Sequence, residues 1–266
     1  MPMLNWSKNK SNLLFIVLAG IFITNALIAE FIGVKIFSLE RTLGFDPLNF
    51  TIFGSKGLSF NLTAGVLLWP VVFVMTDIIN EYFGTKGVKF LSYLTCILIS
   101  YAFLMVFFTI HLVPADFWPS SHLKPGDEVL NPDVLNLNTA FRLIFGQGLW
   151  IVIGSLTAFL LGQVIDVYIF HRIKEQTGEH NIWLRSTGST LISQFIDSYV
   201  VLFIAFYIGA GWSLAQVLAI GTVNYIYKFC VAIGMTPIIY LIHGWIDRFL
   251  GHELAAELKQ KAMRIK

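Results

Sequence analysis

The chain has 266 residues, of which 56% are hydrophobic and 13% charged, with a net charge of +2 and a mean hydropathy of +0.72. Soluble domains carry about 25% charged residues; half that cannot clothe a globule of this size, which all but excludes a soluble enzyme, a disordered chain and a nucleic-acid binder. Cys96 and Cys230 both lie in apolar runs and read as core thiols rather than a disulfide or metal site, so what remains is an integral membrane protein.

A helix crossing a bilayer needs about 20 mostly apolar residues. Six windows qualify: 13–33, 60–80, 88–111, 143–165, 187–208 and 216–243. All are apolar all round, without the period-two alternation of a barrel. The first is long for a signal sequence, carries Asn25 and Glu30, and lacks a small-residue cleavage site, so it reads as a mature helix. Trp69-Pro70 falls in the middle of the second window and Pro237 in the last, where proline is expected to bend the helix. Between windows, residues 34–59 and 112–141 are rich in glycine and proline. They read as solvated outer connections, with a lid as the alternative and, around Phe117-Trp118, a re-entrant or interfacial piece.

Loop charges orient the chain. Twelve basic residues (Lys8, Lys10, Lys86, Lys89, Arg172, Lys174, Arg185, Arg248, Lys259, Lys261, Arg264, Lys266) fall on one set of ends and five (Lys35, Arg41, Lys56, Lys124, Arg142) on the other. The bias puts both termini in the cytoplasm, and their lying on one side agrees with an even number of spans. This divides the chain into a short cytoplasmic N-terminus (1–12), one transmembrane domain (13–245) and a basic cytoplasmic tail (246–266) that reads as an interfacial helix.

An ionisable side chain inside a membrane costs at least about 2.5–3.5 kcal/mol and normally faces the bundle interior. Glu30, Asp77, Asp166, Asp197 and Lys228 lie in or at the ends of the windows. Asp197 is ten residues into the fifth window and Lys228 twelve into the sixth, so in antiparallel helices both reach mid-membrane. They form either an ion pair that locks two helices or a polar site facing a cavity. Their neighbours favour a site. Ser193, Gln194 and Asp197 share a face, Asn224 sits one turn before Lys228, and together these groups offer donors and acceptors to a small, polar, planar solute. Asn25, Glu30, Gln147 and Arg142 are further candidate contacts, although Arg142 equally reads as a snorkelling span-end residue. At the other depth, Asp77 and Glu81 are one turn apart, and Gln163 and Asp166 share a face. These four are gating or proton-relay candidates; the simpler reading is a helix end tied to a neighbour through Lys86 or Arg172. Gly84 is a helix stop.

No phosphate-binding loop, zinc motif, nucleophile elbow, voltage-sensor repeat or potassium-filter sequence is present. Four segments do stand out: T-D-I-I-N-E-Y-F-G (76–84), G-Q-V-I-D-V-Y-I-F-H-R-I-K (162–174), W-L-R-S-T-G-S-T-L-I-S-Q-F-I-D-S (183–198) and Y-I-Y-K-F (225–229). In this order, over about 150 residues, the set resembles the queuosine precursor transporter family, also catalogued as vitamin uptake transporters.

The resemblance implies an all-α, six-helix polytopic membrane protein, similar to the substrate-binding subunits of energy-coupling-factor vitamin transporters. It implies import of 7-cyano- or 7-aminomethyl-7-deazaguanine across the inner membrane, for tRNA modification, without cofactor or metal. A guanine-like edge would meet Asp197 with Gln194 on one side and Lys228 with Asn224 on the other, with Trp69 or Phe195 stacking on the ring. One departure is visible: the first window reads Ala19-Gly-Ile-Phe-Ile-Thr-Asn-Ala26-Leu-Ile-Ala29, without the Ala-x-x-x-Ala spacing of subunits that dock to an energising module, which favours a solitary transporter. Two rivals remain. One is import of another vitamin or nucleobase. The other is an intramembrane carboxylate enzyme, for which the Y-D and G-x-G-D pair is lacking.

Overall fold

A long apolar segment in lipid must satisfy its backbone hydrogen bonds internally, and a helix is the one lone element that does so. The computed structural model describes residues 10–121, 136–146, 148–177 and 182–264. Among them five helical stretches are long and apolar enough to cross a membrane: Lys10–Ile32, Trp69–Ile110, Leu137–Thr177, Ile182–Ile208 and Leu214–Leu250.

The elements in chain order are helix α1 (Lys10–Ile32), strand β1 (Ile36–Ser38), the one-turn helix α2 (Leu39–Thr42) and strands β2 (Phe50–Ile52), β3 (Ser55–Leu58) and β4 (Asn61–Thr63). A 3₁₀ turn (Ala64–Leu67) leads into α3 (Trp69–Ile110), followed by α4 (Leu137–Phe145), α5 (Leu149–Thr177), α6 (Ile182–Leu202) with a π-helical end (Phe203–Ile208), α7 (Leu214–Leu250) and α8 (His252–Arg264). Helix α6 packs between α5 and α7, α1 lies along α3, and α8 covers α3 and the end of α7. Phe22, Val72, Ile78, Leu91 and Phe159 belong to the apolar core that joins α1, α3 and α5.

Gly84 gives α3 its shape. Its φ of 71° and ψ of −176° are non-helical and belong to a region essentially reserved for glycine. Thr76 and Ser92 lie eight residues on either side of it, which in a straight helix would separate them by about 24 Å. Yet both hydroxyls reach the same atom, Gln163 Oε1, at 2.9 and 3.4 Å. Helix α3 therefore folds back on itself at Gly84, as a helix stop there requires.

Several sequence expectations shift. The helix expected from residue 60 begins at Trp69, because residues 61–63 pair with β1 as an antiparallel strand. Pro70 consequently sits in the first turn of α3, where its missing N–H has no helical partner to lose, and does not bend a mid-span; Pro237 does lie inside α7. The window expected from residue 143 is interrupted at Gly146, and its helix restarts at Leu149 and runs on to Thr177. Cys230 is exposed on the outside of the bundle rather than in its core, and Cys96 is half-buried. A helix that is apolar all round does not reveal its inward face, because lipid accepts what a core would.

The 34–59 connection is structured as well. Besides β1–β4, β2 pairs with β3. The Glu40 carboxylate accepts the Phe60 N–H at 2.7 Å and the Ser38 hydroxyl at 3.2 Å. Burial pushes that carboxyl up, but the hydrogen bonds outweigh it and hold it below the ordinary carboxylate range. In the second connection Trp118 packs against Phe141 of α4, while residues 122–135 lie outside the described residues.

Candidate solute-binding site

One face of α6 organises the interior. Ser186, Ser189, Thr190, Ser193 and Asp197 follow at helical spacing, with Arg185 at one end and Gln194 beside Asp197. Over this length α6 rises about 18 Å, and it meets polar groups from α3, α5 and α7 at three levels.

At the Gly84 end, Glu81 of α3 binds Lys174 of α5 at 3.0 Å and Arg185 of α6 at 2.8 Å, with all three side chains about 1% exposed. Both cations also lie over the Phe170 ring. Beside them Asn80 meets His171 at 3.0 Å. Tyr82 donates to Asp247 at 2.7 Å, and Asp247 is held by Lys259 of α8 at 2.9 Å. The expected tie at this helix end thus exists, but Lys86 and Arg172 do not make it: Lys86 is exposed, and Arg172 lies over Tyr168 on its own helix.

At the middle level Asp77 of α3 and Asp166 of α5 are buried against the same turn of α6, where Thr190 reaches one and Ser193 the other. Helix α6 supplies hydroxyls to both. Ser186 and Thr190 donate to Asp77, and Ser189 and Ser193 reach Asp166. Ser193 therefore serves Asp166 rather than Asp197. Gln163, through Thr76 and Ser92, clasps the two arms of α3. Asp77 and Glu81, although one turn apart, belong to separate clusters.

At the third level Lys228 of α7 binds Asp197 of α6 at 2.5 Å, with side-chain exposures of 8% and 17%. Gln194 and Lys228 line a narrow cleft with Pro70, Thr190 and Met235, and Gln194 Oε1 is buried without a hydrogen-bond partner among the described residues. The cleft measures about 20 Å³, room for a single water and not for a planar base. Asn224 is half-buried one turn before Lys228. Glu30 of α1 accepts from Ser155 of α5 and lies near enough to Asp197 to feel its charge.

Other expected contacts fall elsewhere. Asn25 spends its amide on Ile21 of its own helix at 2.8 Å, Arg142 is exposed on α4, and Gln147 lies outside the described residues. Phe195 is 47% exposed and packs against Tyr199 and Tyr225, away from the cleft. Trp69 sits beside Pro70 with its ring on Phe159. Sequence reasoning missed the hydroxyl ladder of α6, although its i, i+3, i+4, i+7 spacing was readable as a polar stripe. It also missed the Tyr82–Asp247–Lys259 tie, which joins residues too far apart in sequence to be paired from spacing.

The four sequence segments singled out above converge on these three levels. A larger cavity of about 460 Å³ lies between α1, the bend of α3 and α8, outside that convergence. Comparison with known proteins bears on the same region: the profile of the family described as "Putative vitamin uptake transporter" matches residues 63–242. Among curated proteins, the chain is similar to the "Probable queuosine precursor transporter" of Bacillus subtilis (strain 168), with 28% identity over 68% of this chain and 72% of that one. It is similar to the "Probable queuosine precursor transporter" of Haemophilus influenzae, with 27% identity over 70% of each chain. The "Queuosine precursor transporter" of Escherichia coli (strain K12) shares 26% identity over 66% of this chain and 70% of its own. No solved structure matches the chain.

Proposed function

The chain belongs to the vitamin uptake transporter family and is a multi-pass membrane transporter rather than an enzyme, and from that premise we propose that it imports a queuosine precursor, 7-cyano- or 7-aminomethyl-7-deazaguanine, across the cytoplasmic membrane. The observation that carries this reading is the Asp197–Lys228 pair beside Gln194, in a chain whose relatives are named queuosine precursor transporters.

The chemistry follows from what the pair can exchange. A 7-deazaguanine edge offers N1–H and an exocyclic amine as donors and a ring carbonyl as acceptor. Asp197 and Gln194 Oε1 accept from the first two, and Lys228 donates to the third, with Asn224 one turn away. Without solute each charge satisfies the other. When the base enters between them, each trades its counter-charge for a hydrogen-bonding edge, so neither is left bare in a low dielectric. Entry requires α6 and α7 to part around the 20 Å³ cleft, and the Glu81–Lys174–Arg185 cluster acts as the inner gate that must open for release.

We read the topology as six crossings similar to those of energy-coupling-factor substrate subunits, with both termini cytoplasmic. A straight α3 of 42 residues would measure about 63 Å, twice the hydrocarbon thickness of about 30 Å; folded at Gly84 it supplies two crossings. The transporter works alone, as the absence of Ala-x-x-x-Ala spacing in α1 favours. The test is a cell unable to make queuosine precursors that expresses this chain. With either deazaguanine supplied, its tRNA is expected to regain queuosine, and rescue by neither would remove the substrate assignment.

A further inference from the structure

The middle level contains a feature that solute recognition does not use. Asp77 and Asp166 come from α3 and α5, are 1% and 0% exposed, and take hydroxyls from the same turn of α6. Their hydroxyl partners occupy Asp77 Oδ2 and Asp166 Oδ1, and the remaining oxygens, Asp77 Oδ1 and Asp166 Oδ2, have no donor among the described residues. The charged groups around them are engaged elsewhere. On the Gly84 side Lys174 of α5 and Arg185 of α6 both bind Glu81, and on the other side Lys228 of α7 binds Asp197. Glu30 of α1 accepts from Ser155. What α6 turns toward the two carboxyls is Ser186, Ser189, Thr190 and Ser193, which donate but carry no charge. A hydrogen bond between two carboxyl groups requires one proton, and two buried carboxylates this close cannot both be ionised.

We infer that Asp77 and Asp166 hold one shared proton and that this proton is the coupling ion, so that each base enters together with a proton. The proposal rests on the transport reading above and adds the driving force to it. In the protonated form the shared hydrogen bond joins α3 to α5. Glu81, one turn beyond Asp77, then stays against Lys174, two turns beyond Asp166, and the inner gate is closed. Loss of the proton to the cytoplasm leaves two like charges in contact, which drives α3 from α5 and separates Glu81 from Lys174. The proton is taken up from the outer side and released on the inner side, and the pair returns to its starting state when it is protonated again. Hydroxyls rather than cations around the pair are what such a site needs: a bound Lys or Arg would neutralise the carboxylates permanently and make the proton dispensable.

The test uses the full chain in proteoliposomes with labelled 7-cyano-7-deazaguanine and 7-aminomethyl-7-deazaguanine and an internal pH-sensitive dye. With equal base on both sides, label exchange reads the substrate assignment alone. With the outside made acid, we expect several-fold accumulation above equilibrium and internal acidification of about one proton per base, unchanged when sodium is replaced by choline. For Asp77→Asn and Asp166→Asn, base transport is expected to carry less than a tenth of the wild-type proton signal. Net base uptake without proton entry, accumulation that needs a sodium gradient, or a variant with the wild-type proton-to-base ratio overturns the coupling proposal alone. Absence of exchange of either base in the wild type overturns the substrate assignment and this proposal with it. Because the wild-type ratio is decisive by itself, a variant that fails to fold does not rescue the idea.

Discussion

Lys228 and Asp197 show what a single side chain does in this interior. Removing one partner of a buried pair strands the other, at a cost of about 3–5 kcal/mol, whereas removing both costs much less. Lys228→Gln and Asp197→Asn should therefore each lower the thermal midpoint in detergent, and the double variant should recover most of that loss. If the pair binds solute, none of the three imports the base; a double variant with wild-type uptake would reduce the pair to a lock between helices. The individual acids and the Asp197–Lys228 contact could be read from the sequence, since a charge in an apolar run demands a partner and antiparallel helices place these two at one depth. The partners of Glu81 could not. Lys174 and Arg185 lie 93 and 104 residues away and look like loop cations until α5 is seen to run on to Thr177 and α6 to begin at Ile182. Spacing along one helix likewise joined Asp77 to Glu81 and Ser193 to Asp197, because periodicity identifies a face but not the helix that face meets.

At the level of an element, the bend in α3 depends on one residue. A side chain at Gly84 would be forced into a backbone region that costs about 1–3 kcal/mol, and its Cβ would stand 3.0 Å from the Ala262 carbonyl oxygen. Gly84→Ala should lower the unfolding midpoint and speed amide exchange across α8, which rests on that bend. Gly20→Ala is the control: this helical glycine has nothing within 4 Å of the added carbon, and the substitution should be neutral or stabilising by about 0.4–1 kcal/mol. The stop at Gly84 was legible because glycine closes a polar motif there. The strand at Asn61–Thr63 was not, since a short apolar run beside a helix reads as its extension, and only pairing with Ile36–Ser38 settles it.

For the whole molecule the testable quantity is sidedness. With Cys96 and Cys230 replaced, a cysteine at Ser11 and one at Lys261 should both react only from the cytoplasmic side, and one at Phe45 only from outside. Labelling of Ser11→Cys and Lys261→Cys from opposite sides would mean an odd number of crossings. The sequence by itself determined that this is a membrane protein of apolar helices, which family it resembles, and which few ionisable residues are too costly to sit in lipid without a purpose. Those conclusions rest on composition, run length and local motifs, all properties of contiguous chain. Only the tertiary structure decided that α3 doubles back, that Glu81 is neutralised by two distant cations, that the hydroxyls of α6 serve Asp77 and Asp166, and that the cleft beside Lys228 is narrow. Each of these depends on which helix faces which, and in a bilayer the apolar pattern of a helix does not distinguish a lipid neighbour from a protein one.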